Sequence, residues 1–442
     1  MKKTALLLYF LLASTISSFG QCWESVAVGY ANVFAIADNG TLWAWGKNTF
    51  GELGDGTNVL KNSPVQIGTD NNWKEVSPSM DGIYSFTLAV KTDGTLWSWG
   101  SNNRGQLGDG TTVFRNYPMQ VGTDTDWSTV AAGISHSIAI KENGTLWSWG
   151  CSERFALIGF PSGPNVLVPE QRSPDTNWKE ASAHDRVTVA VKTNNTVWGW
   201  GWNQSDMLNA PPGATIAGDV QYPVQKVAGT NVKHTRTGHI SSIDIKTNNN
   251  IGPNNEPYYV KDVDTGVNTS AYIRFDNNTL WYGGIMLGST NPNLQPLTQL
   301  GTANNWVAVS MGSQCAAAIN SNGEIWTWGN NFHGGLGIGV NSTASSSTVP
   351  VLVSCPSTLS SDQFSSKPII KVFPNPVKDK LTIESNIFIE RIVIFDALGK
   401  QLYNENINNT NLNIDLSNFN EGLYILSVRS GSIQNQIKFI KN

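Results

Sequence analysis

The sequence predicts an all-β chain, a seven-bladed β-propeller followed by a small immunoglobulin-like β-sandwich. Three observations carry this. A Trp-x-Trp-Gly segment recurs at 43–46, 97–100, 147–150, 198–201 and 326–329, the first four copies 50 to 54 residues apart. Apolar residues around each copy alternate with period two, as in Ser137-Ile-Ala-Ile-Lys141, and Asn-Gly or Asp-Gly pairs at Asn39, Asp93, Asn143 and Asn322 supply hairpin turns. Residues 367–442 drop the tryptophan repeat and keep only short alternating strands.

Each element follows in chain order. Lys2 and Lys3 precede an apolar stretch, Ala5 to Ala13, too short to cross a hydrocarbon core of roughly 30 Å. Residues 1–20 therefore read as a signal peptide, with Ser18 and Gly20 at the −3 and −1 positions of cleavage before Gln21. No other segment has the length of a membrane span.

A second marker counts the repeats. Trp23, Trp73, Trp127, Trp178, Val232, Val260 and Trp306 open seven units over residues 22–355, and the fifth is cut to 28 residues, with Asn248 to Ile251 left of its third strand. Within a unit, two hairpin-linked strands lead into a glycine-rich loop, as in Gly51-Glu-Leu-Gly-Asp-Gly56. A strand opened by proline follows, as in Pro64-Val-Gln-Ile67, which suits an outer edge where no ladder donor is needed. One such sheet cannot bury both faces, so the units must pack radially.

The ordered set Trp-Lys-Glu-Val, Gly133-x-x-His-Ser-x-Ala-Ile140, Asn-Gly-Thr-Leu-Trp-x-Trp-Gly, Gly-Gln-Leu-Gly-Asp-Gly and Pro-Val-Gln resembles the repeat of the regulator of chromosome condensation family. The resemblance covers residues 22–355 and implies a seven-bladed propeller. Units five and six depart from the pattern, which implies an irregular sector.

Circular closure brings Cys22 and Cys355 to one seam, and in an exported protein a disulfide is expected there in preference to two unpaired thiols. Cys151 and Cys315 belong to distant units and are expected buried and unpaired. After a Ser-rich linker, 356–366, residues 367–442 resemble the C-terminal sorting domain of the Bacteroidetes type IX secretion system. Phe373-Pro-Asn-Pro, the Asp-Ala-Leu-Gly-Lys turn, Gly422-Leu-Tyr and the terminal Lys-Phe-Ile carry that resemblance. It implies the type IX machinery as a partner, with delivery through the periplasm to the medium or the outer cell surface.

Chemistry is sparse. Charge is nearly balanced, 29 Lys plus Arg against 33 Asp plus Glu, which excludes the basic footprint of a nucleic-acid binder. No zinc-protease, thiol-redox, hydrolase-elbow or phosphate-loop motif occurs, so no catalytic residue, cofactor or metal ligand is assigned and no enzyme activity is expected. His136 reads as packing, His234 and His239 as residues of a solvated turn, and Asp55 and Asp109 as turn formers rather than calcium ligands.

The apolar loop residues Met80, Ile83, Tyr84, Phe86, Phe155, Phe160, Trp202 and Met207 stand where this copy departs from the repeat. They are either partner anchors or plugs for gaps left by the missing glycine motif. The expected function is a secreted or surface-displayed scaffold for an extracellular protein or glycan. Inhibition of an enzyme is the alternative, known among similar secreted propellers. Nucleotide exchange on a small GTPase, the activity of the eukaryotic nuclear member, fits least with export from the cell.

Overall fold

A computed structural model describes residues 22–80, 82–152, 164–202, 220–226, 231–237, 242–246, 250–251, 256–266, 269–274, 276–285, 294–342, 345–355, 370–396, 399–430 and 433–442. The signal segment, the linker, Phe155, Phe160, Met207 and His239 lie outside them. The chain divides into two compact units, Met1–Cys355 and Pro356–Asn442.

In the first, units one to four and seven are separate four-stranded antiparallel sheets with strands in chain order. Unit one has Trp23–Val28, Asn32–Ala37, Leu42–Gly46 and Lys61–Gln66. Units five and six run together into one seven-stranded sheet, which corrects the expectation of a separate sheet for every unit. Unit five keeps Val232–Thr237, Ser242–Lys246 and the two-residue strand Asn250–Ile251. The first strand of unit six, Glu256–Gly266, is eleven residues long; its leading residues pair with Asn250–Ile251 and its remainder pairs within unit six. The truncated unit thus takes its outer strand from its neighbour, because an unpaired ladder edge would leave backbone donors and acceptors unsatisfied.

Hairpins between second and third strands turn through a positive-φ residue. It is Gly40, Gly94, Gly144 and Gly323 where the sequence has Asn-Gly or Asp-Gly, and Asn195 and Asn278 where it does not, since asparagine is the side chain that best tolerates this region. Each turn also receives the next unit: Trp73 N donates to Gly40 O at 3.1 Å, Trp127 N to Gly94 O at 3.0 Å and Trp178 N to Gly144 O at 3.1 Å. Trp23 N donates to Gly323 O at 3.1 Å in the same way, so the ring closes by the bond that links consecutive units. The Cys22–Cys355 disulfide lies at this closure, as expected, and Cys151 and Cys315 are free and buried.

The second tryptophan of each pair locks neighbouring sheets. Trp45, Trp99, Trp149, Trp200 and Trp328 are fully buried. Trp99 Nε1 donates to Glu52 O of the preceding glycine loop at 2.8 Å, Trp149 Nε1 to Gln106 O at 2.9 Å and Trp45 Nε1 to Gly335 O at 3.1 Å. The loop glycines lie flat on these indoles: a Cβ on Gly108 would sit 2.6 Å from Trp149 Nε1. Units three and six lack the glycine motif, and the indole N–H groups that follow them, of Trp200 and Trp328, have no partner among the described residues.

Residues 370–442 form five strands, Ile370–Phe373, Lys380–Asp396, Gln401–Asp415, Gly422–Ser430 and Ile433–Lys441. In place of two separate sheets, one continuous antiparallel sheet surrounds a core that includes Leu381, Ile383, Ile392, Ile394, Leu426 and Phe439. Asn375, inside the Pro-Asn-Pro segment, accepts from Ile440 N at 2.9 Å, and Val377 N donates to Ile440 O at 2.7 Å. The opening motif and the terminal one are therefore physically joined.

The indole contact yields a test. Gly108 and Gly122 both have positive φ, but a Cβ on Gly122 meets open space. Gly122→Ala should cost only backbone strain, about 1 kcal/mol, whereas Gly108→Ala adds overlap with Trp149 and should cost about 3 kcal/mol or more. Denaturant midpoints of the two variants measure the difference.

Candidate functional site

One first strand from each of the seven starts lines a single central channel, a cavity of about 480 Å³. Its polarity follows from a recurrent irregularity. Counting each opening Trp or Val as position one, the pairing of first and second strands slips between positions one and three: Trp73 pairs with Lys91, and Glu75 with Val90. The same slip occurs at Trp23/Ser25, Trp178/Glu180, Val232/His234, Val260/Asp262 and Trp306/Ala308. One extra residue inverts the alternation beyond it. The opening tryptophan and position four therefore face the inter-sheet core, while positions three and five face the channel.

Those positions are Ser25, Glu75, Thr129, Glu180, His234, Asp262 and Ala308, then Ala27, Ser77, Ala131, Ser182, Arg236, Asp264 and Ser310. Most polar members bond the next unit. Ser77 Oγ accepts from Ala132 N at 3.0 Å, Ser182 Oγ from Thr237 N at 3.1 Å, and Ser310 Oγ from Val28 N at 3.0 Å. Asp262 accepts from Val309 N and Asp264 from Met311 N, each at 2.9 Å. Glu180 accepts from His234 Nδ1 at 2.9 Å and from Arg236.

Burial pushes the Glu75 carboxyl up to about 7, against the bonds it accepts from Thr129 and Val130 N. Burial likewise raises Asp262 and Asp264, with Arg236 opposing. Glu180 is held below its ordinary range: burial works the other way, but the His234 bond and the Arg236 charge prevail. Because these carboxylates are occupied by backbone amides and by Arg236, the channel acts chemically as a ring of cross-unit ties. Among the described residues no group of three or more His, Cys, Asp or Glu is arranged to hold a metal ion.

His234 corrects the sequence reading, since it lies on a channel-lining strand and not in a solvated turn. Its position-three register, visible only once the slip is known, was the missing signal. His136 is fully buried with its pKa lowered to about 4, by burial first and the Arg186 charge second; its Nε2 lies 3.1 Å from Thr188 Oγ1. Asp55 and Asp109 are turn formers: Asp55 accepts from Asn48, Thr57 N and Thr57 Oγ1 and pairs with Lys61.

Antiparallel order sends the first-to-second and third-to-fourth connections of every unit to one end of the ring, here the loop end. Met80, Ile83, Tyr84 and Trp202 all belong to such connections. Ile83 is 65% exposed, and Met80, Tyr84 and Trp202 are half-buried. Phe86 is a correction, because it opens a second strand and is fully buried in the core between units two and three. The loop it follows reaches across the ring: Met80 O accepts from Ser313 Oγ of unit seven at 2.8 Å, and Gly82 packs on the Tyr30 ring. Sequence reasoning missed Val59, Val113, Phe114, Phe332, Ile338 and Val340, exposed at the same end within ordinary repeat loops.

A family model for the regulator of chromosome condensation (RCC1) repeat matches residues 39–78, 93–140 and 322–373, and a second model of that repeat matches 23–52, 127–155 and 306–334. The secretion system C-terminal sorting domain matches 371–442. The N-terminal region carries RCC1 repeats, and the C-terminus is a type IX sorting domain. The RCC1-repeat chain is 35% identical over 98 residues to the ultraviolet-B receptor UVR8 of Arabidopsis thaliana, 22% of each chain. It is 21% identical over 355 residues to the X-linked retinitis pigmentosa GTPase regulator homolog of Caenorhabditis elegans, 71% of this chain and 24% of that one. It spans between 2% and 39% of the length of the first curated relatives it matches. Among solved structures, human WBSCR16 is similar at 19% identity and TM-score 0.46, covering 76% of this chain and 82% of that one. The sorting domain implies secretion or cell-surface export, and no helix among the described residues is long and apolar enough to cross a membrane.

The channel of the RCC1-repeat ring makes its stability depend on pH. Glu75 binds its proton more tightly folded than unfolded, so its contribution is fully present below about 4.5 and is lost as pH rises through about 7. Glu75→Gln should remove that loss. The variant's advantage over the parent should be absent at pH 4, grow up to pH 7 and level off above it at about 3 kcal/mol, as followed by denaturation midpoints across pH.

Proposed function

We propose that this chain is a non-enzymatic binding scaffold, released to the medium or displayed on the cell surface, whose loop end engages an extracellular protein. The observation that carries this is where the apolar side chains are exposed. Val59, Ile83, Val113, Phe114, Phe332, Ile338 and Val340 all occupy loop-end connections, while the opposite end carries the short Asx turns and the links between units. Phe50 and Phe114, from neighbouring units, meet edge to face at 5.9 Å, which joins two of these loops. Exposed aliphatic and phenyl groups clustered at one end favour a protein partner, whose anchors bury in such patches. The engaged state of the channel carboxylates supports binding over catalysis.

The test immobilises the full chain and measures capture from the protein and glycan fractions of the extracellular medium. Ile83→Glu/Val113→Glu/Phe332→Glu should weaken capture from the protein fraction at least tenfold, whereas Tyr117→Glu/Tyr222→Glu/Val349→Glu on outer strands should leave it unchanged. Capture from the glycan fraction alone, or loss with the outer-strand set only, overturns the reading. Export depends on the other domain: in the native host a chain ending at residue 360 should fold, retain its disulfide and stay in the periplasm. Cell fractionation and thiol alkylation measure both outcomes.

A further inference from the structure

The repeat assigns the same side-chain type to the same place in nearly every unit, so exceptions stand out. The residue that follows the fourth strand donates its N–H to the third strand; it is apolar and buried in units one, two, six and seven, as Ile67, Val121, Leu300 and Val353, while unit three has the half-buried Arg172, paired with Glu170 of its own strand. In unit four that residue is Lys226, whose N–H makes the same bond, to Val197 O at 2.9 Å. Position four of the first strand pairs with a buried alanine of the second in units one to four and seven, as Val26 with Ala35, Val76 with Ala89 and Val130 with Ala139, and with Tyr272 in unit six. In unit five the pair is Thr235 and Asp244.

These exceptions meet one another. Lys226 Nζ lies 3.1 Å from Asp244 Oδ2, with side chains only 4% and 11% exposed, and Thr235 Oγ1 donates to Asp244 Oδ1 at 2.7 Å. On the channel side, Glu180 of unit four takes the bonds of His234 and Arg236 of unit five, and Lys179 Nζ donates to Lys233 O at 3.3 Å. The apolar lock is missing here, for unit five has Val232 where units one to four and seven have tryptophan, and it has no Trp-x-Trp-Gly segment. Among the described residues the apolar cluster at this junction is Val191, Val197 and Val232, as small as that of Ile245, Val260 and Val263 between units five and six, which one continuous sheet holds together. Around Trp149, between units two and three, it has twelve buried members.

We propose that the junction of units four and five is the seam at which the ring opens, a polar gate closed by the Lys226–Asp244 and Glu180–Arg236 pairs. A buried ion pair adds little net stability over an apolar isostere, because desolvating two charges offsets their attraction, yet removing one partner leaves a buried charge uncompensated. Local opening favours the region with the fewest apolar contacts. The ring therefore has one preferred place to part, next to the strand that unit five takes from unit six.

Hydrogen exchange of the full chain, read by mass spectrometry, tests this. Amides of 232–237 and 242–246 should exchange at least tenfold faster than the matching amides of units two and three, 73–78 and 86–91 or 127–132 and 136–141. Asp244→Ala alone, which removes the buried carboxylate beside Lys226, should accelerate them further. Lys226→Val/Thr235→Val/Asp244→Ala, which restores the residues the repeat uses elsewhere, should slow them at least tenfold and leave units two and three unchanged. Exchange at the junction as slow as in units two and three, or restored apolar residues that fail to slow it, overturns the proposal. If Asp244→Ala unfolds the chain, the parent and the triple variant alone decide.

Discussion

The indole that closes each inter-sheet contact is the constraint on which the rest of the ring depends. A four-stranded sheet of this size is apolar on both faces and cannot fold alone, so every sheet needs a neighbour on each side. The second tryptophan of the pair supplies the buried area, and its N–H needs an acceptor once buried. The preceding glycine loop offers a carbonyl and, lacking side chains, a flat surface that admits the ring. Trp45, Trp99 and Trp149 meet all these conditions, and the bond from Trp23 N to Gly323 O repeats around the closure what consecutive units do along the chain.

A second constraint acts on the inner strands. The slip between positions one and three lets one short strand present tryptophan to the core and polar groups to the channel. The charged channel ties sit in the irregular arc: Glu180 with His234 and Arg236 spans units four and five, where tryptophan packing is thin, and Asp262 and Asp264 tie unit six to unit seven beside the buried Trp306 and Trp328. Charge and apolar packing thus divide the ring, with the regular arc held by indoles and the irregular arc held more by ions.

Division of labour extends to the whole chain. The ring offers exposed Val, Ile and Phe at its loop end, and the loop from Met80 to Gly82 reaches over to units one and seven. The terminal domain keeps its own core and joins its opening Pro-Asn-Pro segment to its final strand through Asn375. The repeat ring and the sorting domain are built on separate hydrophobic cores.

The all-β class, the unit starts, the hairpin turns, the Cys22–Cys355 pairing and the sorting domain were legible because each depends on residue type at short range or at a fixed period. Asn39-Gly40 makes a turn wherever it occurs, and a 50-residue period leaves few architectures that bury what it repeats. The site was much less legible. That Glu75, Glu180, His234, Arg236, Asp262 and Asp264 line one channel depends on a one-residue slip in strand pairing, which no local pattern records and which reverses the facing of every later side chain. That Phe86 is core while Ile83, three residues earlier, is exposed depends on where the strand begins. Sequence by itself determined which units exist and in what order; tertiary structure alone decided which faces they turn to one another, because facing is set by register between strands and by contact between sheets far apart in the chain.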